Sequence, residues 1–468
     1  MTVNKEKFLY RHFGMILFFI NLAAGTLIYI QGSRMGLFAL PRPGMDQHTI
    51  LEAAQKTAEG ILPYPGKYLY SPSYTLYLGV LARITGNNAA MMRLLQLVTV
   101  SLVPWMIYRC SIYAGTGRKA AALAGIFWIF SGSALLISLD FLRAGPLALC
   151  FVMLVYFMVR SFRSSKLRYP VLAGVFAGLC MLGRENFIPV IFIPVLFWLI
   201  PWSKYKDKYR KTAVYAVFAV LVLLPVISYN FYHVSSIAIL PGNGRNVFEF
   251  MQGKGSLDTP LSALCGIIRK SPQTLWSMVT PFENTNSLSL YAHREAIMPL
   301  KMLCLPVTLL FSLCFSALTC RKRSIFMILA LIACYFGTLI FCEIYYRFRI
   351  PALPLLCIAG GAGAQQLAEL LRRRSLSSVI FLLPVLAALL IWAKHNPESS
   401  LHRSEREATV RFFLDRKMYD RAGELLVKYR KCGVESPVGE RFLLGLLVRD
   451  GRQQEAGYWY LEFSKHLK

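Results

Sequence analysis

Three short polar connections, each between two long apolar segments, place a carboxylate beside arginine. The residues are Asp140 with Arg143, Arg184 with Glu185, and Glu343 with Arg347 and Arg349. A guanidinium group is a planar fork of donors that matches the oxygens of a phosphate, and a neighbouring carboxylate can orient it. If the connections converge, the pattern predicts a site that binds an anionic phosphate. The alternative is that each pair is a local ion pair that neutralises a helix end.

Asp46 is the candidate for acid-base chemistry. It follows the turn-forming sequence PRPG at residues 41–44, where a carboxylate can meet a hydroxyl group and serve as general base. An aspartate that opens a helix is equally a favoured N-cap, so both roles stay open. His48 could aid or replace Asp46 as the base, although a lone histidine is more often a surface hydrogen-bonding residue.

Lys67 stands among tyrosines that could line a carbohydrate site. They are Tyr64, Tyr68, Tyr70, Tyr74 and Tyr77. Phenol rings stack on sugars and their hydroxyl groups form hydrogen bonds, so we count Lys67 among the candidate substrate-binding residues. An aromatic belt at a membrane surface explains the same composition equally well.

Several common catalytic signatures are absent from the sequence. It contains no GxxxxGK[ST] loop, no HExxH or GxSxG motif and no dinucleotide fingerprint. No spacing of cysteine and histidine is typical of a zinc site. We therefore predict no resident cofactor and no dedicated metal site, with a divalent metal ion left open. A nucleotide-driven pump is disfavoured for the same reason.

The composition indicates which elements position these residues. Hydrophobic residues make up 56% of the chain and charged residues 16%, and the mean hydropathy is +0.47, which does not suit a water-exposed globule. The apolar run at 13–30 follows basic residues without an evident cleavage site, so it reads as a retained anchor. Further runs long enough to cross a bilayer, among them 120–138 and 187–202, predict an all-α bundle of about eleven membrane spans.

The basic residues give this bundle an orientation. The formal net charge is +28, but the lysines and arginines concentrate in alternate connections, at 109–119, 160–168, 204–211, 321–323 and 372–374. This is the positive-inside pattern, so we predict a cytoplasmic N-terminus, contact with anionic lipid head groups, and no nucleic-acid partner. The connections that carry Arg143, Arg184, Arg347 and Arg349 then lie on the outer face, where the positive-inside pattern predicts few cations.

Two long outer connections interrupt the short hairpins, at residues 31–88 and 230–301. Within the first, residues 46–59 form a helical pattern that ends at Gly60, with Ile50, Leu51, Ala54 and Ala58 on one face. Residues 74–84 form a second amphipathic pattern. We predict that both are interfacial helices which lie along the membrane surface.

The chain becomes polar after the last apolar run, so we divide it into a transmembrane domain, 1–394, and an extracytoplasmic tail, 395–468. The segment 411–431 repeats approximately in 440–465, with a period of about 34 residues that pairs Ala422 with Ala456 and Tyr429 with Phe463. This predicts a tetratricopeptide-like pair of repeats, with a possible protein partner. A helical tail with a chance period is the alternative.

Four segments together resemble the membrane-embedded glycosyltransferases of the GT-C class, such as the protein O-mannosyltransferases and the lipid A aminoarabinose transferases. The resemblance covers most of residues 1–394. It is carried by MDQHTILEAAQKTAEGILPYPG, which holds the acid of the first loop, and by LLISLDFLRAGPLAL, CMLGRENFIPVIFIPVLFWL and YYRFRIPALPLL. The last segment is similar to the family's arginine-tyrosine and Pro-x-x-Pro sequence before a late span.

The resemblance implies an inverting transfer of a hexosyl or pentosyl group from a polyprenyl-phosphate donor to a glycan, lipid or protein acceptor. Asp46 would then deprotonate or orient the acceptor hydroxyl, and arginines such as Arg184 and Arg347 would stabilise the departing lipid phosphate. Many members have paired acids in the first loop, whereas Gln47 follows Asp46 here. That departure weakens the case for a bound metal, and Asp140 is the candidate second acid.

Other classes of protein share parts of this pattern. A secondary transporter also uses charges within the membrane, but near the midplane and in repeated broken helices. A polymerase or ligase of lipid-linked glycans would share the donor chemistry, and a structural scaffold would make the tail the working part. The predicted location is the cell inner membrane, with a role in the cell-envelope glycans.

Overall fold

The structure is a computed structural model, and the described residues are almost entirely helical, with no β-strand among them. This confirms the predicted all-α class. The description covers residues 2–34, 38, 46–61, 71–184, 186–199, 207–234, 305, 307–320, 322–339, 346–373, 376–394, 410–411, 413–415, 417–431 and 436–465.

Fifteen helices precede the tail in these ranges, numbered here in chain order. The first eight are α1 (Thr2–Arg34), α2 (Asp46–Ala58), α3 (Pro72–Thr85), α4 (Ala89–Ala114), α5 (Arg118–Ile129), α6 (Gly132–Leu139), α7 (Ala144–Phe162) and α8 (Arg168–Gly183). The others are α9 (Phe187–Val190), α10 (Phe192–Leu199), α11 (Lys208–Val234), α12 (Val307–Ala317), α13 (Arg323–Leu339), α14 (Leu353–Arg372) and α15 (Leu376–Lys394). Two 3-10 turns, Tyr346–Phe348 and Ile350–Ala352, lead into α14.

Five helices in the described part of the chain are long and apolar enough to cross a membrane. They are His12–Arg34, Ala89–Ala114, Ala144–Phe162, Lys208–His233 and Ile350–Arg372. Shorter apolar helices accompany them, at Arg168–Gly183, Phe187–Leu199, Val307–Ala317, Arg323–Leu339 and Ile380–Leu390. The chain is thus a multi-span membrane bundle, while the count of about eleven spans remains a prediction.

Two segments predicted as continuous spans are interrupted. The run 120–138 divides into α5 and α6, because the carbonyl of Phe130 accepts a hydrogen bond from the backbone N–H of Leu305 (2.8 Å), far away in sequence. The run 187–202 divides at Ile191 into α9 and α10. Pro194 has no N–H to donate to the carbonyl four residues earlier, which favours the interruption there.

Close helix crossings hold the bundle together. A Cβ atom at Gly363 of α14 would overlap the carbonyl oxygen of Leu313 in α12, and one at Gly174 of α8 would overlap that of Tyr215 in α11. In lipid, helices associate through packing and not through a hydrophobic driving force, so small residues at crossings allow the backbones to approach. The second crossing packs α8 on α11, and the end of α8 carries part of the site described below.

The tail contains three helices, α16 (Tyr419–Lys431), α17 (Pro437–Arg449) and α18 (Gln453–Ser464), with a small apolar core of their own. Arg430 bridges them. It donates two hydrogen bonds of 2.6 Å to the carboxylate of Glu440 and one of 3.1 Å to the carbonyl oxygen of Phe463. Ala422, Ala456, Tyr429 and Phe463 are all buried. The tetratricopeptide assignment and the domain boundary stay predictions.

Enlarging Ala422 or Ala456 to leucine should destabilise the tail by about 1–3 kcal/mol, because both methyl groups lie in packed contacts that have no room for a larger side chain. The measurement is the rate of limited proteolysis of the tail in the full-length protein. Gln454→Leu, at an exposed position of α18, adds similar bulk and should leave the rate unchanged. Unaltered protease resistance in both alanine variants would count against repeat-like packing.

Candidate active site

Helices α2 and α3 of the first long connection pack on the start of α4. Ile50, Leu51 and Ala54 of α2 are buried with Leu78 of α3 and with Phe141, which follows α6. The predicted apolar face of α2 is therefore confirmed, and it holds the first turn of that helix against the connection between α6 and α7. Both candidate acids belong to these two segments.

Asp140 ends α6 and is held by neutral donors. Its Oδ2 accepts a hydrogen bond from Nε2 of Gln47 (3.0 Å), and its Oδ1 accepts one from the backbone N–H of Phe141 (2.9 Å). Asp140 is half-buried and forms no ion pair within the described ranges. The local ion pair with Arg143, considered from the sequence, is not what holds this carboxylate.

Helix α2 begins at Asp46, so the backbone of the first-loop acid is adjacent to the Gln47–Asp140 bond. The side chain of Asp46 lies outside the described residues. In the sequence, Gln47 was noted only because it stands where many family members have a second acid. In the structure, its hydrogen bond connects the start of α2 to Asp140. His48 is half-buried in the same turn.

Gln96 of α4 forms hydrogen bonds with the backbone of the connection between α6 and α7, which contains Asp140. Its Nε2 donates to the carbonyl oxygens of Ser138 (2.6 Å) and Asp140 (2.9 Å), and its Oε1 accepts from the hydroxyl of Tyr74 (2.8 Å). Burial raises the pKa of Tyr74, so this hydroxyl remains a donor. The Gln96 bonds join α3, α4 and α6 at one point. The signal in the sequence was a polar side chain inside an apolar run, and it was missed.

Tyr74 and Tyr77 use their hydroxyl groups within the protein. The hydroxyl of Tyr77 donates to Oγ1 of Thr99 (3.0 Å), and burial raises the pKa of Tyr77 to about 12. Both rings pack α3 on α4, and a carbohydrate site at these two tyrosines stays a prediction. Lys67 and the three tyrosines before position 71 lie outside the described residues.

Arginines from three connections meet beyond the start of α7 and the end of α8. Arg143 precedes α7 and donates through Nη1 to the carbonyl oxygen of Gly183 (3.2 Å), the last residue of α8. Arg184 follows directly, and its guanidinium carbon lies 3.7 Å from the centroid of the Phe348 ring. Arg347 lies 5.7 Å from the same centroid. The predicted convergence is thus observed for these three arginines.

Arg184 is a buried member of the arginine cluster, which we define as the three converging residues Arg143, Arg184 and Arg347. Only 5% of its surface is exposed, and its Nη1 is buried with no hydrogen-bond partner among the described residues. Burial, together with the positive charges of Arg143 and Arg347, lowers the pKa of Arg184 to about 10. Buried cationic groups that repel one another indicate a place where an anion would be strongly favoured.

Neighbouring groups fix the geometry of the arginine cluster. The hydroxyl of Tyr335 donates to the carbonyl oxygen of Phe348 (2.7 Å), which holds the 3-10 turn that carries Arg347. Ser71, in a left-handed conformation with φ of 46°, donates to the carbonyl oxygen of Gly183 (3.2 Å). Arg349 is 2% exposed. Glu185 and Glu343, the acids predicted beside these arginines, lie outside the described residues.

Within the described ranges, no group of three or more histidine, cysteine, aspartate or glutamate side chains is placed to hold a metal ion. The side chain of Asp46 is not among those residues. A reaction without a resident metal therefore remains a prediction.

The chain is similar to a known family model and to a solved structure. Residues 71–231 match the family model described as dolichyl-phosphate-mannose-protein mannosyltransferase. Among solved structures, the chain is similar to ArnT from Cupriavidus metallidurans bound to undecaprenyl phosphate, with a TM-score of 0.45 and 12% identity over 99% of this chain and 76% of that chain. No curated protein sequence matches the chain. The family match confirms the resemblance to the GT-C class.

Proposed function

We propose that this chain is a GT-C glycosyltransferase that transfers a hexosyl or pentosyl group from a polyprenyl-phosphate donor to an acceptor on the outer face of the membrane. The family match over residues 71–231 supports the class of enzyme. The description of that family names a dolichyl-phosphate sugar, which supports a polyprenyl-phosphate donor. The acceptor is a glycan, a lipid or a protein.

The observation that carries the proposal is the buried guanidinium group of Arg184 among like charges. A lipid phosphate offers several acceptor oxygens and negative charge to Nη1 of Arg184, which has no partner among the described residues. In the transfer, negative charge grows on the phosphate as the sugar leaves it. Fixed donors that face this charge lower the barrier, because they need no reorganisation during the reaction.

The acid-base step is assigned to Asp46. In our scheme its carboxylate takes the proton of the acceptor hydroxyl while the hydroxyl oxygen forms a bond to the anomeric carbon. The bond from that carbon to the phosphate oxygen breaks, and polyprenyl phosphate leaves with the electron pair. Attack opposite the leaving group inverts the anomeric centre. Asp140, fixed by Gln47, serves to position the first turn of α2.

The position of the charges favours transfer over transport. Arg143 precedes the first residue of α7 and Arg184 follows the last residue of α8, so both lie at helix ends. A transporter site is expected near the midplane, between the halves of broken helices. An arrangement at one end of the bundle suits a donor whose phosphate sits at the membrane surface.

The test is a reconstituted assay. Purified protein in lipid vesicles is given polyprenyl-phosphate donors that carry a hexose or a pentose, with candidate glycan acceptors, and release of free polyprenyl phosphate is followed by mass spectrometry. We expect release that depends on both donor and acceptor. Movement of an intact donor or sugar across the vesicle membrane, without cleavage, would replace this proposal with transport.

We also propose an inner-membrane location with a cytoplasmic N-terminus and an extracytoplasmic tail. Asn87, after α3, and Lys166, between α7 and α8, are exposed and lie on opposite sides in this topology. A membrane-impermeant maleimide added to intact cells should label Asn87→Cys but not Lys166→Cys, above the level of the parent chain. Both should react after permeabilisation. Labelling of Lys166→Cys in intact cells would reverse the orientation.

A further inference from the structure

The opposite ends of α7 and α8 carry a second concentration of cations. Arg160 is in the last turn of α7, and Arg168 is the first residue of α8. Because α7 rises about 1.5 Å per residue, and Arg160 comes 17 residues after Arg143 (160 − 143), these cations lie about 26 Å along the helix from the arginine cluster of the candidate active site. They belong to neither the donor site nor the acid site.

Three tyrosine rings surround the guanidinium group of Arg160. Its central carbon lies 4.2 Å from the ring centroid of Tyr113, 4.7 Å from that of Tyr169 and 5.9 Å from that of Tyr156. The hydroxyl oxygen of Tyr169 accepts hydrogen bonds from Arg160 and from Nη2 of Arg168, the latter at 3.0 Å. Aromatic faces hold a cation in place without neutralising it.

Further cations lie next to Arg160 and its three tyrosine rings. The guanidinium carbon of Arg109 lies 5.9 Å from the Tyr113 ring centroid. The side chains of Arg163 and Lys322 both lie beside Gly115, and Nζ of Lys322 donates to the Gly115 carbonyl oxygen. We define the basic cluster as Arg109, Arg160, Arg163, Arg168 and Lys322. Four elements contribute to it: α4, α7 with the connection that follows it, α8, and the residue before α13.

The basic cluster has no acidic partner among the residues that the structure describes. Across the described parts of the chain, none of its five members forms an ion pair, and their contacts are phenol groups and backbone carbonyls. A phenolic oxygen has two lone pairs, and both lone pairs of Tyr169 are used by Arg160 and Arg168. Its own proton is left to donate to a further acceptor. Cations and a hydroxyl donor at one place are the donor set for phosphate oxygens.

Apolar surface lies directly next to these charges. Leu172, one turn beyond Arg168 on α8, is exposed, and so is Phe326, one turn beyond Lys322 on α13. An occupant of this place therefore needs a negative head group beside an apolar body. We propose that the basic cluster is a binding site for the phosphate head group of an anionic phospholipid, separate from the polyprenyl-phosphate donor. Basic pockets at the ends of membrane helices suit such head groups.

Native mass spectrometry of the full-length protein in detergent provides the test, with phosphatidylglycerol compared with phosphatidylcholine of the same acyl chains. Wild type should bind phosphatidylglycerol more tightly. The double variant Arg109→Gln/Arg163→Gln removes two exposed charges and should weaken that binding about 25-fold, or about fivefold per charge, with phosphatidylcholine unaffected. Arg160→Gln should weaken it as well, by removing the charge held between the tyrosines.

Lys119→Gln is the matched control, because Lys119 is exposed near the start of α5 and lies outside the basic cluster. It should retain at least half of the wild-type affinity. If Lys119→Gln lost as much affinity per charge as the double variant, phosphatidylglycerol would be attracted by the basic surface in general. That result would overturn the proposed site. Inorganic phosphate is the second arm of the test. If inorganic phosphate displaced phosphatidylglycerol at equal concentration, the occupant would be a free anion and the lipid assignment would be wrong.

Discussion

Asp46→Asn should reduce sugar transfer by about 10²- to 10⁴-fold while the protein remains folded and inserted. The amide keeps the size of the side chain but has no oxygen basic enough to accept the proton of the acceptor hydroxyl. Helix α2 begins at Asp46, so a purely structural role would be to stabilise the helix N-terminus. That role is worth only about 0.3–1 kcal/mol, and asparagine retains its capping capacity. The rate of polyprenyl-phosphate release therefore separates the two roles.

Glu52→Gln provides the matched control on the same helix. Glu52 forms an exposed pair with Lys56 (2.8 Å), and the hydrogen bond and charge of Lys56 lower the pKa of Glu52. Removing its charge should leave the rate at the wild-type level. A wild-type rate for Asp46→Asn would assign Asp46 a structural role, and the base would then be sought at Asp140, Glu343 or His48.

Arg184→Gln should lower the rate by about 10²- to 10³-fold, the range typical for loss of one preorganised donor to a developing anion. Arg184→Lys keeps the charge but loses the planar fork, so it should be less impaired. The Arg184→Gln substitution should not lower the free energy of unfolding. Nη1 of Arg184 has no partner among the described residues, and burial of the charge is itself costly. We expect a thermal midpoint equal to or above that of wild type.

Lys211 is a control for Arg184, because it is a buried cation whose hydrogen bonds stabilise the fold. This cation is 2% exposed, but its Nζ donates to the carbonyl oxygens of Ser161 and Ser164, both at 2.8 Å. Lys211→Gln should lower the thermal midpoint and leave the Michaelis constant for the donor unchanged. If Arg184→Gln behaved in the same way, Arg184 would be a structural residue, and the arginine cluster would not be the phosphate site.

The first-loop helices could be predicted because the signal lies in neighbouring residues. The spacing of Ile50, Leu51 and Ala54 predicts one buried face, and α2 buries these side chains against α3. The end of the pattern at Gly60 is also observed, with φ of 79°. The spacing of apolar residues along one helix depends only on residues close in sequence, so a single sequence is enough to predict the buried face.

The interruptions of two predicted spans depend on distant partners. Phe130 uses its carbonyl to bind the backbone of Leu305, and hydropathy contains no information on that contact. The apolar run continues through the break, so the composition alone predicts one long helix. Only the arrangement of the later helices decides where α5 ends.

The candidate site was partly predictable for the same reasons. Arg143 and Arg184 drew attention because the positive-inside pattern predicts few cations in their connections, and the two residues do converge. Gln47, Gln96 and Ser71 were not identified, because their roles depend on bonds to residues on other elements. Gln96 gave a usable signal as a polar residue in an apolar helix, whereas Ser71 gave none.

Direct binding of polyprenyl phosphate tests the central claim, that the arginine cluster binds the phosphate of the lipid donor. The measurement compares polyprenyl phosphate with the uncharged polyprenol of the same length, by native mass spectrometry of wild type and Arg184→Gln. We predict that wild type prefers the phosphate by at least about tenfold, since charge-assisted hydrogen bonds contribute about 1.5–3 kcal/mol each, and that Arg184→Gln loses most of this preference. Equal binding of phosphate and alcohol by wild type, or an undiminished preference in Arg184→Gln, would contradict the account.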